Sequence, residues 1–373
     1  MKTLGIISYI RPDCSCGGIE DHVFQLLSNI DKTQYNLFVI YCKTPRSDEQ
    51  LQAILKYCSL VQVNCWFSNK LNLPDIFRKI EFNVRLRKIT KSLNLDIIQM
   101  NGDNGALGIS KKIVSVQYGA TSIGKYKIIV ESRKKFQIKK RVETILSASL
   151  EFIAARRSDQ IIIDNPTISS IAHKMNPKVP IKLIYDAIDS KAFYKISNKN
   201  EIKKKLDLKL EFKYGIWVST DYNKGLNDAI NAFKPLKNSK LLVVGFKPHG
   251  NFRNVQYLGF LNHEQLNEYL NASDFFILPT KIRTLDLAVI DALHSGLTPI
   301  LYRSAYSFLF ADTEALLVNN YEELASVLIQ VDEGQINLNA FKCERILSYF
   351  DPVKVAKEYQ RTFNEAIEQN EYR

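Results

Sequence analysis

The chain is poor in the features that mark metal-binding and disulfide-bonded proteins. Its six cysteines are Cys14, Cys16, Cys42, Cys58, Cys65 and Cys343. They are scattered without the spacing of metal ligands, and the Cys14-Ser-Cys16 pair is too tight for the usual zinc site. We therefore expect reduced thiols in a cytosolic protein, and no bound metal.

Long hydrophobic runs, low-complexity tracts and short repeats are also missing. No apolar run approaches the roughly 18 residues that a membrane-spanning helix requires. The first residues, MKTLGIISYIRP, are typical of a strand and lack the apolar core and cleavage site of a signal peptide. These absences favour a cytoplasmic globular protein. Its 373 residues, 46% of them hydrophobic, can bury two ordinary cores.

Basic residues outnumber acidic ones, which gives a net charge of +12 and favours an anionic partner. They concentrate in residues 125–141, KYKIIVESRKKFQIKKR, where apolar residues are interleaved with them. A solvated helix face is one interpretation of this pattern. A peripheral contact with the anionic inner face of the cell membrane is another. Nucleic acid is not expected as a partner, because no known binding module accompanies the charge.

Short apolar runs alternate with amphipathic helical patterns along the whole chain. The predicted strands are residues 3–9, 35–42, 60–64, 96–100, 113–116, 160–163, 181–185, 214–219, 241–245, 255–258, 275–278, 298–301 and 316–318. The clearest helical patterns are residues 19–30, 131–157, 165–174, 224–233, 264–270, 321–331 and 352–370. This alternation predicts βαβ units, and therefore an α/β fold with parallel sheets. The start of the Lys- and Asn-rich stretch 187–210 suits a linker between two similar halves.

The most informative stretch is residues 271–300. Its apolar run ends at Pro279, a polar loop follows, and apolar residues then recur at helical spacing up to Gly296, which is placed as a C-cap. In parallel sheets ligands bind at the carboxyl ends of strands. The loop 279–286 and the first turns of the helix should therefore line a site, and helix N-termini there favour anions.

Several short segments resemble, in their order and spacing, the retaining glycosyltransferases of family 4. They are GGIEDHV at 17–23, DII at 96–98, ARRSD at 155–159, IYDAID at 184–189, KG at 224–225, LGF at 258–260, ASD at 272–274, LP at 278–279 and DAL at 291–293. The resemblance spans nearly the whole chain, and the order of the segments is more specific than any one of them. It implies the GT-B fold, with two Rossmann-like, doubly wound parallel-sheet domains that face a cleft.

The resemblance also implies a division of the chain and an activity. Residues 1–190 would form an acceptor-side domain, residues 191–350 a nucleotide-sugar donor domain, and residues 351–373 a helix that returns to the first domain. The activity would be hexosyl transfer from a nucleotide sugar to a glycan or lipid-linked acceptor, with retention and without metal or cofactor. One alternative is a non-catalytic descendant that binds a nucleotide sugar, a glycan or a partner glycosyltransferase. Another is a different GT-B enzyme such as an epimerase.

Individual residues acquire expected roles from the same resemblance. The donor-binding residues would be Gly17, Gly18, Ser219, Lys224, Leu287 and Asp291. Lys224 would neutralise the leaving diphosphate, and Asp291 would accept hydrogen bonds from ribose hydroxyls. Backbone N–H groups beside the two glycines could also meet the diphosphate. Each of these residues has a plainer interpretation as a turn or surface residue.

Three positions depart from the family pattern. The family usually has a glutamate, an arginine and a histidine where this chain has Arg283, Ser219 and Tyr118. Tyr118 and Arg283 join Lys224 as the candidate catalytic residues. Arg283 could pair with the carboxylate or sulfonate of an acidic donor sugar, point to solvent, or pair with Asp286. A histidine is common in the family on the first helix, and His22 occupies that helix here.

Overall fold

Thirteen strands form two sheets in the described part of the chain. They are β1 (Lys2–Ile7), β2 (Tyr35–Tyr41), β3 (Ser59–Gln62), β4 (Ile97–Asn101), β5 (Lys112–Gln117), β6 (Gln160–Ile163), β7 (Ile181–Leu183), β8 (Lys213–Val218), β9 (Ser239–Val244), β10 (Val255–Gly259), β11 (Phe275–Leu278), β12 (Thr298–Tyr302) and β13 (Leu316–Val318). Each strand end lies within two residues of the predicted one. Short apolar runs bounded by polar turns were therefore a sufficient signal.

The two sheets share one topology. The first has seven strands in the order β3-β2-β1-β4-β5-β6-β7, and the second has six in the order β10-β9-β8-β11-β12-β13. All neighbouring strands are parallel. The order reverses once in each sheet, between β1 and β4 and between β8 and β11. The predicted pair of doubly wound parallel sheets is confirmed.

Helices connect the strands. They are α1 (Gly18–Asn29), α2 (Leu51–Leu55), α3 (Trp66–Lys70), α4 (Asp75–Ser92), α5 (Ile138–Arg156), α6 (Ser169–Met175), α7 (Lys199–Lys205), α8 (Leu226–Phe233), α9 (His263–Ala272), α10 (Leu287–His294), α11 (Arg303–Phe310), α12 (Tyr321–Asp332), α13 (Glu344–Leu347) and α14 (Pro352–Glu368). Within the ranges that the structure describes, no helix is long and apolar enough to cross a membrane.

The chain divides into two units. The first unit comprises Met1–Ile188 with Phe350–Arg373, and the second comprises Asp189–Tyr349. The computed structural model describes residues 1–14, 18–44, 51–71, 74–103, 107, 109, 112–118, 138–189, 191–247, 250, 252–282, 286–310, 313, 315–338 and 342–368. Gly17, Arg283 and most of the basic stretch 125–141 therefore lie outside the described residues.

Both faces of the first sheet are covered. Leu4 and Ile6 of β1 face a cluster that contains Val23 of α1 and five residues of α14. Those five are Val355, Ala356, Tyr359, Phe363 and Ala366. Ile7 belongs to the opposite cluster, with residues of α4 and α5. Because strand side chains alternate between faces, one short apolar strand serves two cores, and the C-terminal helix completes one of them.

A glycine in β8 makes room for the core of the second unit. Phe233 of α8 and Phe275 of β11 stack with ring centroids 6.1 Å apart. A Cβ atom on Gly215 would lie 2.6 Å from the Phe275 ring and 2.7 Å from Phe233. Two large aromatic side chains thus pack directly on the backbone of a central strand.

The structure differs from the predicted helices at several places. Residues 199–205, inside the Lys-rich stretch that begins as a linker, form α7, where the Asn198 side chain accepts a hydrogen bond from the Glu201 N–H at 3.3 Å. The pattern 165–174 begins as a 3-10 turn and becomes α6 only at Ser169. Gly296 follows α10 with φ +78°, as its expected C-cap role requires.

We expect Gly215→Ala to lower the free energy of unfolding of the second unit by about 1–3 kcal/mol, the usual cost of overpacking a core. Urea unfolding monitored by fluorescence of the buried Trp217 would measure it. The matched control is Gly5→Ala, whose added methyl meets the end of the aliphatic Leu95 side chain, at 2.5 Å, rather than two aromatic rings. A loss for Gly215→Ala no larger than that for Gly5→Ala would contradict the packing argument.

Candidate functional sites

The point where strand order reverses is the place where parallel sheets bind ligands, because neighbouring connections leave on opposite faces there. In the second unit this point lies between the carboxyl ends of β8 and β11. In the first unit it lies between those of β1 and β4. Both points hold residues that the sequence predicts to be functional.

A tight turn after β8 holds Ser219 and Lys224. The Asp221 N–H donates to Ser219 Oγ at 3.0 Å, and the Lys224 N–H donates to the Asp221 carbonyl at 3.1 Å. The buried Trp217 indole N–H donates to the Lys224 carbonyl at 3.2 Å. The backbone of Lys224 is therefore fixed by its own turn and by the core.

Gly225 brings this turn against the end of β11. Its φ is +80°, and a Cβ atom there would lie 2.0 Å from the Pro279 carbonyl oxygen. Only glycine fits that approach. Gly245, which follows β9, makes the same kind of contact with the Ser219 carbonyl, at 2.1 Å from an added Cβ. Three strand ends thus converge on the Ser219–Lys224 turn.

The Lys224 ammonium forms an ion pair with the carboxylate of Asp286, the residue before α10. The Tyr306 hydroxyl of α11 donates to the other oxygen of this carboxylate at 2.5 Å. Asp286 is only 6% exposed, and burial raises the pKa of Tyr306 above its ordinary range, so the phenol stays a donor. Asp286 thus positions the Lys224 ammonium, and the Tyr306 hydroxyl positions the Asp286 carboxylate.

From the sequence, Asp286 is expected only as a possible partner for Arg283. Its contact with Lys224 joins residues that are 62 positions apart, which no local spacing could reveal. Tyr306 carried no sequence signal at all. Arg283 lies outside the described residues, so its role remains a prediction.

Leu287 and Asp291 lie on α10, directly after Asp286. Leu287 is the first helical residue, and Asp291 is one turn further along the same face. Both side chains are partly exposed. Four of the predicted donor-binding residues, Ser219, Lys224, Leu287 and Asp291, therefore belong to the carboxyl-end segments of β8 and β11. Their functional roles stay predictions.

The first unit has a cavity of about 550 Å³ at its own reversal point. It is lined by residues that follow β1, β2, β4 and β5, by the start of α1, and by one face of α5. They include Tyr9, Lys43, Asn101, Tyr118, Ile19 and Glu143. Gly18 begins α1 beside this cavity. Tyr118 therefore lines this cavity, and Gly18 adjoins the lining residue Ile19.

Tyr118 is held at the cavity wall by a hydrogen bond. Its hydroxyl donates to Asn101 Oδ1 at 2.8 Å, and Asn101 in turn donates to the Ile7 carbonyl at 3.0 Å. Burial raises the pKa of Tyr118 well above its ordinary range, with further contributions from the Tyr359 and Asp186 charges. The phenol is thus a neutral hydrogen-bonding group rather than a base.

Acidic side chains around the cavity are partly neutralised. Lys79 pairs with Asp103 at 2.8 Å, and Lys43 pairs with Asp75 at 3.3 Å. Burial raises the pKa of Glu20, at the start of α1. The cavity can therefore offer paired charges and hydrogen-bonding groups to a polar ligand.

His22 is buried and structural. Its Nδ1 accepts a hydrogen bond from the Ala187 N–H at 2.8 Å, so the ring proton lies on Nε2, which donates to the Tyr359 hydroxyl at 3.1 Å. Burial lowers its pKa to about 3, so the ring is neutral. His22 thus ties the segment just before the unit boundary to α1 and α14.

Asp186 lies beside this histidine and was not singled out from the sequence for chemistry. Its Oδ1 is 3.5 Å from His22 Nδ1, and it has no hydrogen-bond partner within the described part of the chain. Burial raises its pKa to about 7. His22 Nδ1 accepts the Ala187 N–H and therefore carries no proton. His22 and Asp186 are thus close together without forming an ordinary ion pair.

Metal-binding and thiol chemistry have little support in what the structure describes. Across those residues, no group of three His, Cys, Asp or Glu side chains could hold a metal ion. The expectation that neither metal nor cofactor is needed remains a prediction. Cys42 and Cys65 are free thiols with their sulfurs 3.1 Å apart, a proximity that their 23-residue separation did not predict.

The family model described as Glycosyl transferases group 1 matches residues 213–332. That region runs from the first residue of β8 to the last residue of α12 and contains the Lys224–Asp286 pair. No curated protein sequence matches the chain.

Solved structures show the same fold over nearly the whole chain. Sucrose-phosphate synthase from Thermosynechococcus elongatus has a TM-score of 0.75 at 16% identity, covering 98% of this chain and 99% of that one. WaaG, a glycosyltransferase involved in lipopolysaccharide biosynthesis, has a TM-score of 0.70 at 16% identity, covering 98% of each chain. Anabaena HepE in complex with UDP-glucose has a TM-score of 0.70 at 14% identity, covering 98% of this chain and 100% of that one. The predicted GT-B fold is confirmed.

Asp186 should make stability depend on pH. Its folded-state pKa of about 7 exceeds its ordinary value of 3.8, so between these values the folded protein holds a proton that the unfolded chain releases. Stability should therefore fall as pH rises through this window, by at most about 1.4 kcal/mol per pH unit. We expect Asp186→Asn to remove this slope in urea unfolding between about pH 5 and pH 7.

The difference in pH dependence between wild type and Asp186→Asn isolates the contribution of Asp186, because both proteins contain His22. The depressed pKa of His22 acts in the opposite sense, since stability from that group is lost as pH falls below its ordinary 6.5. Parallel stability curves for wild type and Asp186→Asn would show that Asp186 ionises normally in the folded protein.

Proposed function

Because residues 213–332 form a Glycosyl transferases group 1 domain in a chain with the GT-B fold, we propose that this protein is a retaining glycosyltransferase. It moves a hexose from a nucleotide sugar to a glycan or lipid-linked acceptor, without a metal ion. The observation that carries the proposal is the fixed Lys224 at the reversal point of the second sheet, inside the matched domain.

The donor binds to the second unit. The structures of Anabaena HepE with UDP-glucose, and with UDP and glucose, support a uridine diphosphate sugar. Asp291 accepts hydrogen bonds from the ribose hydroxyls, and Leu287 packs against the nucleoside. Ser219 and Lys224 face the diphosphate, next to the N-termini of α8 and α10, where backbone N–H groups favour an anion.

Departure of the nucleotide creates negative charge on the β-phosphate and an oxocarbenium-like sugar. The Lys224 ammonium and nearby backbone N–H groups stabilise that charge, in the way that preorganised donors stabilise a developing oxyanion. The phosphate takes the proton of the acceptor hydroxyl as it attacks from the same face. No enzymic nucleophile is then required, and the lysine replaces a metal ion.

The acceptor binds to the first unit, in the cavity with Tyr118. The fixed Tyr118 hydroxyl and the paired carboxylates offer hydrogen bonds to sugar hydroxyls. A lipid-linked acceptor would be reached through a peripheral membrane contact, for which the basic stretch 125–141 is one candidate.

A second candidate function is binding of a nucleotide sugar without transfer. The ammonium of Lys224 already has a carboxylate partner in Asp286, which is itself fixed by Tyr306. A diphosphate has to compete with that buried carboxylate for the lysine. This competition would reduce the charge that Lys224 offers to a leaving diphosphate, so a nucleotide sugar held through its nucleoside would bind without being cleaved.

Lys224→Ala tests the enzymatic proposal. We expect turnover of UDP-glucose to fall by about 10²–10³-fold, the scale for loss of one preorganised donor. The matched control is Lys237→Ala, since Lys237 is exposed and precedes the amino end of β9. Turnover of Lys224→Ala within about twofold of the control would remove Lys224 from the mechanism.

Ligand-induced thermal shifts separate the two candidates and identify the donor. The panel contains UDP-, GDP- and ADP-sugars, and a nucleotide-linked uronic acid to test the acidic-donor interpretation of Arg283. For a transferase, one nucleotide sugar stabilises the wild type and is turned over when an acceptor is supplied. Stabilisation with no sugar release in a single-turnover assay supports the binding function. No shift with any nucleotide sugar contradicts both.

A further inference from the structure

Large apolar side chains are exposed on α3, on the residue that follows it and on α4. They are Trp66, Phe67, Leu71, Phe77 and Val84, each between 47% and 59% exposed. Scattered exposed apolar residues need no explanation, but a group on two adjacent elements marks an interaction surface. These residues take no part in the proposed donor or acceptor sites.

Hydrogen bonds place the start of α3 beside the middle of α4. Glu81, in the middle of α4, accepts hydrogen bonds from the Phe67 N–H at 3.3 Å and the Ser68 N–H at 2.8 Å. Glu81 lies one helical turn from both Phe77 and Val84. The start of α3 is therefore fixed beside the exposed stripe of α4.

Cations border this apolar face. Arg78 and Arg85 are neutralised by Asp75 at 2.9 Å and by Glu81 at 2.8 Å. A second set of four cations, Lys70, Arg87, Lys88 and Lys91, is exposed. Among the residues that the structure describes, no carboxylate lies within 4.0 Å of these four. Their charge is therefore available to an external anion.

We propose that the surface formed by these five apolar residues and four cations, the α3–α4 surface, docks on an anionic lipid bilayer. The apolar side chains enter the boundary between headgroups and acyl chains, and the lysines and arginine contact the lipid phosphates. Trp66 suits that boundary, because its ring is apolar and its N–H is polar.

The charges favour a bilayer over a protein partner or a second copy of the chain. Lysine is depleted in protein interfaces, where its desolvation is costly, whereas it is retained beside anionic headgroups. A second copy would bring the same cations against each other. The inference does not depend on the proposed transferase activity, and it uses residues outside the basic stretch 125–141.

The two tryptophans make a direct test possible. Trp66 is half-exposed on the α3–α4 surface, and Trp217 is fully buried in the second unit. Vesicles of phosphatidylcholine with about one third phosphatidylglycerol, brominated in the acyl chains, should quench Trp66 alone and so remove only part of the emission. We expect Trp66→Phe to abolish the quenching while vesicle co-sedimentation persists.

Charge reversal tests the cations. Each cation near an anionic surface contributes about fivefold to partitioning, so we expect Lys88→Glu/Lys91→Glu to lower the partition coefficient at least tenfold. The matched control is Lys354→Glu/Lys357→Glu, an exposed pair at the same spacing on α14 of the same unit. We expect the control to bind vesicles as wild type does.

Three results would overturn the proposal. The first is equal binding to neutral and anionic vesicles, and the second is anionic binding without quenching of Trp66. The third is a dimer in analytical ultracentrifugation that Val84→Glu dissociates, because the surface would then be an interface between copies. None of these measurements uses a sugar. A result that overturns membrane docking would therefore leave the proposed transferase function untouched.

Discussion

The close approach of Gly225 to the Pro279 carbonyl is the contact on which the second unit's candidate site depends. An added Cβ atom would lie 2.0 Å from that oxygen, so any other residue would force the ends of β8 and β11 apart. Lys224 precedes this glycine, and Asp286 ends the loop that begins at Pro279. This contact brings the segments that carry Lys224 and Asp286 together, and the two side chains form an ion pair.

A second fixed point lies in the first unit. His22 joins α1, α14 and the backbone at Ala187 through one neutral imidazole. The first unit ends at Ile188 and resumes at Phe350. The Ile188 N–H donates to the Phe350 carbonyl at 3.2 Å, so these two ends are hydrogen-bonded to each other. The C-terminal helix therefore stabilises the place where the chain leaves the first unit, as well as the hydrophobic core.

The basic residues of this protein differ in whether a neighbouring carboxylate neutralises them. The net charge of +12 indicates an anionic partner but does not locate it. Around the first unit's cavity, lysines are paired with carboxylates, whereas on the α3–α4 surface four cations have no described carboxylate near them. Pairing, rather than the number of basic residues, determines which cations can attract a partner.

The sequence by itself determined the two parallel sheets, because short apolar runs and their turns are local signals that survive in any context. It also placed Ser219, Lys224, Leu287 and Asp291 after the strands that carry them. The resemblance to family 4 glycosyltransferases selected these four residues, and the rule that ligands meet the carboxyl ends of parallel strands agrees with their positions.

Only the tertiary structure decided which side chains touch. The partner of Lys224 lies 62 residues away, His22 pairs with Tyr359 across 337 residues, and Tyr306 had no motif to mark it. The exposed face at 66–84 was also invisible, because apolar residues there have the same sequence pattern as buried ones. Contact and exposure depend on how distant segments pack, and local spacing carries no information about that.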